Sequence, residues 1–174
     1  MIHLVTGGAR SGKSRHAQAA AEALPGAHLR FVATAEPLDD DMAERIRRHQ
    51  EDRGPRWRTT EEPVHVDRAL ADADAAALLL DCLTLWTSNQ LFAHAPGEAP
   101  EDAAVLALAA RQAAAFAADP RPTWVVTNEV GLGIVPGDAL SRRYRDLLGR
   151  VNQLWAAQAE TVTFLVAGLP LRVK

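Results

Sequence analysis

This sequence has few of the features that mark secreted or membrane-spanning proteins. Its 174 residues include one cysteine, Cys82, so no disulfide can form within the chain, and a reducing compartment is expected. No apolar run approaches the ~20 residues that a membrane-spanning helix needs. No basic segment followed by an apolar one predicts a signal peptide. We therefore expect a cytoplasmic protein without a membrane span.

A strong excess of charge of one sign is also lacking. The chain has 19 Lys and Arg residues against 22 Asp and Glu residues, which leaves a net charge of -3. This weakly acidic balance does not predict a nucleic-acid partner. The length is typical of one domain, predicted to span residues 1–174, that buries roughly 70% of its unfolded surface.

The most informative motif is GGARSGKS at residues 7–14, which matches G-x-x-x-x-G-K-[ST]. It follows a predicted strand, 2–6, and precedes an Ala-rich predicted helix, 15–23, so its context also fits a phosphate-binding loop. Glycines let several backbone N–H groups face one anion, and the helix N-terminus adds its dipole. The candidate phosphate-binding residues are Gly7, Gly8, Ala9, Arg10, Ser11, Gly12, Lys13 and Ser14. In this motif the lysine reaches the β- and γ-phosphates and the hydroxyl of Ser14 binds Mg²⁺. A glycine-rich turn that binds nothing is the alternative.

Strands and helices are predicted to alternate along the rest of the chain. Further strands are predicted at 28–34, 75–81, 123–127 and 161–167. Helices are predicted from about 39 to 52, at 63–73, 83–94 and 101–118, and from 139 to about 159. Residues 56–62 are irregular or a short strand, 168–170 are a turn, and 171–174 are a short edge strand. This alternation predicts a parallel, doubly wound α/β sheet with helices on its faces.

Ligands of such sheets bind beyond the carboxyl ends of the strands. The phosphate loop, Thr34, Asp81 and the pair Asn128-Glu129 are all predicted at such ends. Asp81 follows an apolar strand, where an acid holds Mg²⁺ directly or through water; capping of the next helix is the alternative. Glu129 is either a second acid near Mg²⁺ or the substrate hydroxyl, or a structural acid of its loop.

Several further stretches, in order along the chain, carry a resemblance to a known family. They are VTGGARSGKSR at 5–15, ATA at 33–35, DDMAERI at 40–46 leading to His49, WRT at 57–59, TNEVG at 127–131 with GIVP at 133–136, and GRVNQ at 149–153. Together they resemble the bifunctional adenosylcobinamide kinase / adenosylcobinamide-phosphate guanylyltransferase family. The phosphate loop is generic, whereas the histidine segment and the two later motifs are specific.

The resemblance implies a RecA-like P-loop NTPase fold and a homotrimer. It also implies two reactions in late cobalamin biosynthesis. Adenosylcobinamide, a corrinoid, is first phosphorylated with ATP or GTP. GMP is then transferred from GTP to that phosphate, which releases pyrophosphate and gives adenosylcobinamide-GDP. ATP, GTP and Mg²⁺ are the implied cofactors.

The second reaction in this family passes through GMP bound covalently to a histidine, which corresponds to His49. Four arginines at positions 45, 47, 48 and 53 surround it, and their charge disfavours the imidazolium and so favours a neutral nucleophile. His49 and Lys13 are the candidate catalytic residues. The further candidate nucleotide contacts are Thr34, Ala35, Glu36, Gln50, Glu51, Asp52, Arg53, Glu61 and Asp81. Without the resemblance, His49 would be interpreted as a solvated helix residue, and Glu61 remains open between guanine binding and surface charge.

Two other functions are compatible with the phosphate loop. A P-loop kinase for another small molecule would transfer the γ-phosphate without forming a covalent nucleotide. A non-catalytic RecA-like protein would couple nucleotide binding to assembly. The absence of the N-K-x-D guanine motif argues against a regulatory GTPase.

Overall fold

The computed structural model describes residues 1–26, 28–36, 44, 47, 51, 53–92 and 99–174. Within these residues, seven strands form one sheet in the order β3-β2-β4-β5-β1-β6-β7. The strands are β1 (Ile2–Gly7), β2 (Leu29–Ala33), β3 (Trp57–Glu61), β4 (Leu78–Asp81), β5 (Thr123–Val126), β6 (Thr161–Val166) and β7 (Leu169–Arg172). All neighbouring pairs are parallel except β6 and β7, which are antiparallel. The predicted mostly parallel α/β sheet is confirmed.

Helices cover both faces of the sheet. Those with described bounds are α1 (Lys13–Glu22), α2 (Leu83–Phe92), α3 (Asp102–Ala118) and α4 (Ala139–Gln158), with a 3₁₀-helix at Val66–Ala71. Leu78 and Leu80 of β4 pack in one core with α2, α3 and α4, whereas Leu79 packs in a second core with α1. Because successive side chains of a strand point to opposite faces, an apolar run such as that of β4 is typical of a strand buried on both sides.

The predicted helix at 63–73 is wrong in type and extent, since the structure has a 3₁₀-helix at Val66–Ala71. The reason lies in the preceding carbonyl groups, which are engaged by other elements. The carbonyl of Val64 accepts hydrogen bonds from Trp86 Nε1 and Gln112 Nε2, both at 2.8 Å. The carbonyl of Pro63 accepts one from Asn89 Nδ2 at 3.1 Å. These tertiary contacts compete with the regular i to i−4 pattern of an α-helix.

The C-terminal hairpin turns earlier than predicted. Val166 pairs with Leu169, so the turn consists of Ala167 and Gly168, which have φ angles of 51° and 83°. Two positive φ angles in a two-residue hairpin loop match the right-handed twist of the flanking strands. Pro170 therefore lies within β7 rather than in the turn. The sheet tolerates it there because β7 is an edge strand, where a missing N–H need not leave a partner unsatisfied.

Two predicted helices extend beyond the described residues. Of the helix predicted from about 39 to 52, Glu44, Arg47 and Glu51 are described, and they are helical. Helix α2 is described to Phe92, and the predicted end at His94 lies outside the described residues. Among the helices that the structure does describe, none combines the length and the apolar character that crossing a membrane requires.

Candidate functional site

The carboxyl ends of four parallel strands lie level with one another. Ala33 at the end of β2 pairs with Glu61 of β3 on one side and with Asp81 of β4 on the other. Asp81 in turn pairs with Val126 at the end of β5. Val126 pairs with Val5 of β1, a strand that continues to Gly7. The predicted convergence of the strand ends at one edge of the sheet is therefore confirmed, with the phosphate loop directly beyond β1.

The backbone of the phosphate loop adopts conformations that favour glycine at two positions. Gly7 has a φ of +148°, and a Cβ there would lie 2.6 Å from the carbonyl oxygen of Leu165 in β6. Gly12 has a φ of +95° and is the N-cap of α1, where a glycine has no side chain to cap the helix. The first N–H groups of α1 therefore remain available to an anion, which is the arrangement that a helix N-terminus uses to bind phosphate.

Lys13 is buried and its ammonium group lies over the loop. Its Nζ donates a hydrogen bond to the carbonyl oxygen of Gly8 at 2.6 Å and lies 3.5 Å from Ser11 Oγ. Burial lowers the pKa of Lys13 from its ordinary value, while the charge of Asp81 acts in the opposite direction. Residues 10–15 line an open cleft of about 420 Å³ beside this ammonium group. The arrangement places three cationic residues, Arg10, Lys13 and Arg15, and the backbone donors of the loop around one open cleft, as the binding of a polyanion requires.

Thr34 joins the ends of β2 and β4 through its side chain. Its hydroxyl donates to the carbonyl oxygen of Cys82 at 2.8 Å and accepts from the amide of Cys82 at 2.7 Å. Its backbone amide donates to the carbonyl oxygen of Asp81 at 3.2 Å. The peptide bond between Asp81 and Cys82 is cis. Thr34 therefore helps to hold the backbone of Asp81 at the edge of the sheet, and Ala35 and Glu36 follow it, both half-buried.

Glu129 is tied to the phosphate loop by its backbone and its carboxylate. Its amide donates to the carbonyl oxygen of Gly7 at 3.2 Å. Its Oε1 accepts a hydrogen bond from Thr6 Oγ1 at 2.8 Å and lies 3.5 Å from Asn152 Nδ2. Asn152 also donates to the carbonyl oxygen of Asn128 at 3.1 Å and accepts from Thr127 Oγ1 at 2.7 Å. The loop after β5 is thus anchored to both β1 and α4.

Sequence interpretation missed the part that Asn152 plays in this cluster. Asn152 is buried on the apolar face of α4, between Leu148 and Trp155 in the helical spacing. A polar residue on such a face signals a buried hydrogen-bonding role, because a buried amide without partners is costly. That signal was present in the sequence, although the hydrogen-bonding partners of Asn152 could not be identified from the sequence.

The candidate nucleotide contacts beyond β2 form a second group. Arg53 lies over the ring of Phe31, 3.6 Å from its centroid, and donates to Thr59 Oγ1 at 2.9 Å. Burial lowers the pKa of Arg53, and the negative charge of Asp81 opposes that shift by favouring the charged guanidinium group. Glu61 is exposed at the end of β3. The structure thus places Arg53 and Glu61 at the same edge of the sheet as Asp81.

The remaining candidates of the histidine segment are described only in part. His49, Gln50 and Asp52 lie outside the described residues. Glu51 is described, and its carboxylate accepts a hydrogen bond from Arg47, which also pairs with Glu44. These exposed ion pairs join residues three and four positions apart, so the guanidinium group of Arg47 is paired within its own segment of the chain.

The donor chemistry at the edge of the sheet fits Mg²⁺ better than a softer metal. Ser14 at the start of α1 and Asp81 at the end of β4 supply oxygen, which Mg²⁺ prefers. Among the described residues, no group of three or more His, Cys, Asp or Glu side chains could hold a metal ion. Mg²⁺ ordinarily binds through one or two protein oxygens together with substrate phosphates and water, so a site of this composition suits it.

Comparisons with known proteins agree along the whole chain. A family model described as "Cobinamide kinase / cobinamide phosphate guanyltransferase" matches residues 3–173. The bifunctional adenosylcobalamin biosynthesis protein CobU of Salmonella typhimurium is 44% identical, and the alignment covers 100% of both chains. CobU of Escherichia coli is 42% identical over 100% of both chains. The bifunctional adenosylcobalamin biosynthesis protein CobP of Pseudomonas aeruginosa is 42% identical, over 100% of this chain and 98% of its own.

Proposed function

Since this chain belongs to the cobinamide kinase / cobinamide phosphate guanyltransferase family, we propose that it is a bifunctional enzyme of late cobalamin biosynthesis. Its first reaction transfers the γ-phosphate of ATP or GTP to the hydroxyl of adenosylcobinamide. Its second transfers GMP from GTP to that phosphate, releasing pyrophosphate and forming adenosylcobinamide-GDP. The substrate partner is therefore a corrinoid, and residues 1–174 act as one catalytic domain.

The observation that carries this proposal is the geometry of the phosphate loop. Both reactions use a nucleoside triphosphate, and the loop offers the Lys13 ammonium group and the open N-terminus of α1 beside one cleft. Preorganised donors of this kind stabilise the charge that develops on phosphate oxygens during transfer. Lys13 binds the β- and γ-phosphates, and the backbone N–H groups of residues 8–14 hold them in place.

Ser14 and Asp81 are the residues that would hold Mg²⁺. Bound there, the ion would offset the charge of the triphosphate and orient its leaving group. Thr34 supports this role through its hydrogen bonds to the backbone of Cys82, next to Asp81. The candidate contacts Arg53 and Glu61 lie at the same edge, where they would bind the nucleotide in the second reaction.

The nucleophile of the second reaction is His49. Its neutral imidazole nitrogen attacks the α-phosphorus of GTP, so a nitrogen–phosphorus bond forms while the bond to the pyrophosphate oxygen breaks. A phosphate oxygen of the corrinoid then attacks the same phosphorus and releases the histidine. The arginines adjacent in sequence support this assignment, because their charge disfavours a protonated imidazole and attracts the triphosphate.

The first experiment uses GTP labelled at the α-phosphorus, with Mg²⁺ and without corrinoid. After denaturation, wild-type protein is expected to retain a label that is acid-labile and alkali-stable, as a phosphoramidate is. The His49→Ala variant is expected to retain none. His3→Gln is the matched control, because His3 lies near the opposite end of β1 and bonds to Thr161. If the wild-type protein binds GTP but retains no label, guanylyl transfer through a histidine is excluded. The remaining alternatives are then a P-loop kinase for a small molecule and a non-catalytic assembly protein.

A homotrimer is the proposed assembly. The number of copies follows from the resemblance to the family. Association is supported by exposed apolar side chains at two places, the loop containing Leu132, Ile134 and Val135, and the edge strand with Leu169 and Leu171. Clustered apolar surface of this kind marks a contact with another molecule. Sedimentation equilibrium tests this state directly.

Cytoplasmic residence is also proposed, because both reactions consume nucleoside triphosphates.

A further inference from the structure

The two reactions differ in their need for a base. The kinase reaction starts from an alcohol, whose hydroxyl proton must leave as the oxygen bonds to phosphorus. The guanylyl transfer uses the unprotonated nitrogen of a neutral imidazole and then an ionised phosphate oxygen, so neither attacking atom carries a proton. A general base is therefore required in one half of the proposed function and dispensable in the other.

Glu129 has the placement that such a base needs. Its amide is bonded to Gly7, the first residue of the phosphate loop, and its Oε1 is held by Thr6 at 2.8 Å. Nδ2 of Asn152 lies 3.5 Å from the same oxygen and donates a hydrogen bond to the carbonyl oxygen of Asn128. Within the described residues, Oε2 of Glu129 has no hydrogen-bonding partner, and the residue is only half-buried. One oxygen is thus fixed while the other can accept a proton.

The other acids at this edge are less suited to the task. The charge of Asp81 acts to raise the pKa of both Lys13 and Arg53, and Asp81 is the proposed metal ligand. Glu61 is at the end of β3, four strands away from β1 in the sheet order. Glu129 is hydrogen-bonded to Thr6 of β1 and to Gly7 of the loop proposed to bind the γ-phosphate, so its carboxylate is the one held at the proposed site of the kinase reaction.

We propose that Glu129 is the general base of the kinase half-reaction and that Thr6 and Asn152 are its positioning residues, an inference that rests on the function proposed above. The substrate hydroxyl oxygen forms a bond to the γ-phosphorus, and the bond from that phosphorus to the bridging oxygen breaks. The nucleoside diphosphate leaves, and the hydroxyl proton passes to Oε2 of Glu129.

The test measures the two half-reactions separately in the same variants. One assay follows γ-phosphate transfer to adenosylcobinamide, and the other follows labelling by α-labelled GTP and its transfer to preformed adenosylcobinamide phosphate. Glu129→Gln keeps an oxygen for Thr6 and Asn152, so the loop is expected to stay in place. We expect kcat of the kinase reaction to fall by about 10²–10⁴-fold, with KM values and guanylyl transfer unchanged. Glu129→Asp is expected to recover part of the loss.

The positioning role of Thr6 is tested by kcat of the kinase reaction in two further variants. Thr6→Val removes the hydroxyl at nearly constant volume and is expected to lower kcat of the kinase reaction by about tenfold without changing KM, whereas Thr6→Ser restores it. Glu160→Gln is the matched control, since Glu160 is an exposed acid after α4 whose amide bonds to Ile2 at the other end of β1. It is expected to leave both assays at the wild-type level.

Each result has a distinct meaning. A Glu129→Gln variant that phosphorylates adenosylcobinamide within threefold of the wild-type rate would overturn the inference. So would equal loss of both half-reactions in a folded variant, because that would make Glu129 a structural acid of the phosphate loop. Failure of the proposed function itself would appear in the wild-type protein, as absence of transfer in both assays.

Discussion

The hydroxyl of Thr34 both donates to and accepts from the backbone of Cys82, at 2.8 and 2.7 Å. These two bonds join the carboxyl ends of β2 and β4 across the position at which Asp81 leaves the sheet. Asn89 adds a third connection by donating to the carbonyl oxygen of Thr34 at 2.8 Å. The backbone around the proposed metal ligand is therefore held by polar contacts as well as by the ladder of the sheet.

Thr34→Val is expected to destabilise the protein, because it removes the hydrogen-bond acceptor of the Cys82 amide and one of the two donors to the Cys82 carbonyl group, which also accepts from the amide of Trp86 at 3.0 Å. The expected loss is about 1–3 kcal/mol in the free energy of unfolding. Urea unfolding followed by tryptophan fluorescence measures it. Thr34→Ser retains the hydroxyl and is the matched control, expected to be close to wild type. Equal stability of Thr34→Val and wild type would show that the two bonds contribute nothing net.

Two glycine substitutions are expected to have opposite signs. Gly7→Ala places a Cβ 2.6 Å from the carbonyl oxygen of Leu165 at a φ of +148°, so it should cost about 1–3 kcal/mol in strain. Gly149→Ala lies within α4, where an added Cβ meets nothing within 4 Å, and should stabilise by about 0.5–1 kcal/mol. In thermal denaturation, the melting temperature should be highest for Gly149→Ala, intermediate for the wild-type protein and lowest for Gly7→Ala. A different order would contradict the conformational argument.

The acid dependence of stability should depend on Asp72. Burial acts to raise the pKa of this carboxyl, but hydrogen bonds and charges from Arg30 and His28 outweigh it, so its pKa lies below the ordinary value. A carboxyl with a depressed folded-state pKa contributes stability above its unfolded pKa of about 3.9 and loses it as the pH falls through the folded value.

Asp72→Asn removes this contribution and is therefore expected to be less stable than wild type at neutral pH. The difference in the free energy of unfolding should stay constant above about pH 5 and shrink below about pH 4. Urea titrations at a series of pH values test this, with Asp74→Asn as a neighbouring control. A difference that persists unchanged at the lowest pH would contradict the assignment of the effect to the Asp72 charge.

The thiol of Cys82 should react slowly with alkylating reagents in the folded protein. Burial, together with the charge of Asp81, raises its pKa to about 12 from an ordinary value of 9.0. The thiolate is the reactive form, so at pH 8 its fraction falls by roughly three orders of magnitude. Because the chain has one cysteine, mass spectrometry after iodoacetamide treatment reports on this thiol alone. Rapid alkylation under native conditions would contradict the prediction, and protein unfolded in urea is the positive control.

The regular elements were predictable because their signals are local. The apolar run before Asp81 and the apolar positions of α4 follow the periods of a strand and a helix. Helix α4 has nearly the predicted bounds, whereas β4 ends where predicted but begins at Leu78, three residues later than predicted. The phosphate loop was predictable for a related reason. Its glycines, lysine and serine are adjacent in sequence, so the backbone conformation and the chemistry are encoded within eight residues.

Other features depend on contacts between distant residues. The 3₁₀-helix at Val66–Ala71 follows carbonyl groups that bond to α2 and α3, which no local pattern around Pro63 specifies. The tie between Thr6 and Glu129 spans 123 positions in the chain. Its existence requires β5 to lie next to β1, and adjacency of strands is a property of the sheet rather than of either segment.

The sequence by itself determined the α/β architecture, the phosphate loop, the family and the candidate acids at the strand ends, because hydrophobic period and contiguous motifs act over a few residues. The tertiary structure alone decided how those acids differ. It set Asp81 in the field of Lys13 and Arg53, and it tied Glu129 to Thr6 and the phosphate loop. The physical reason is that hydrogen bonds and electrostatic fields act through space, so the role of a carboxylate depends on which strands and helices are brought beside it.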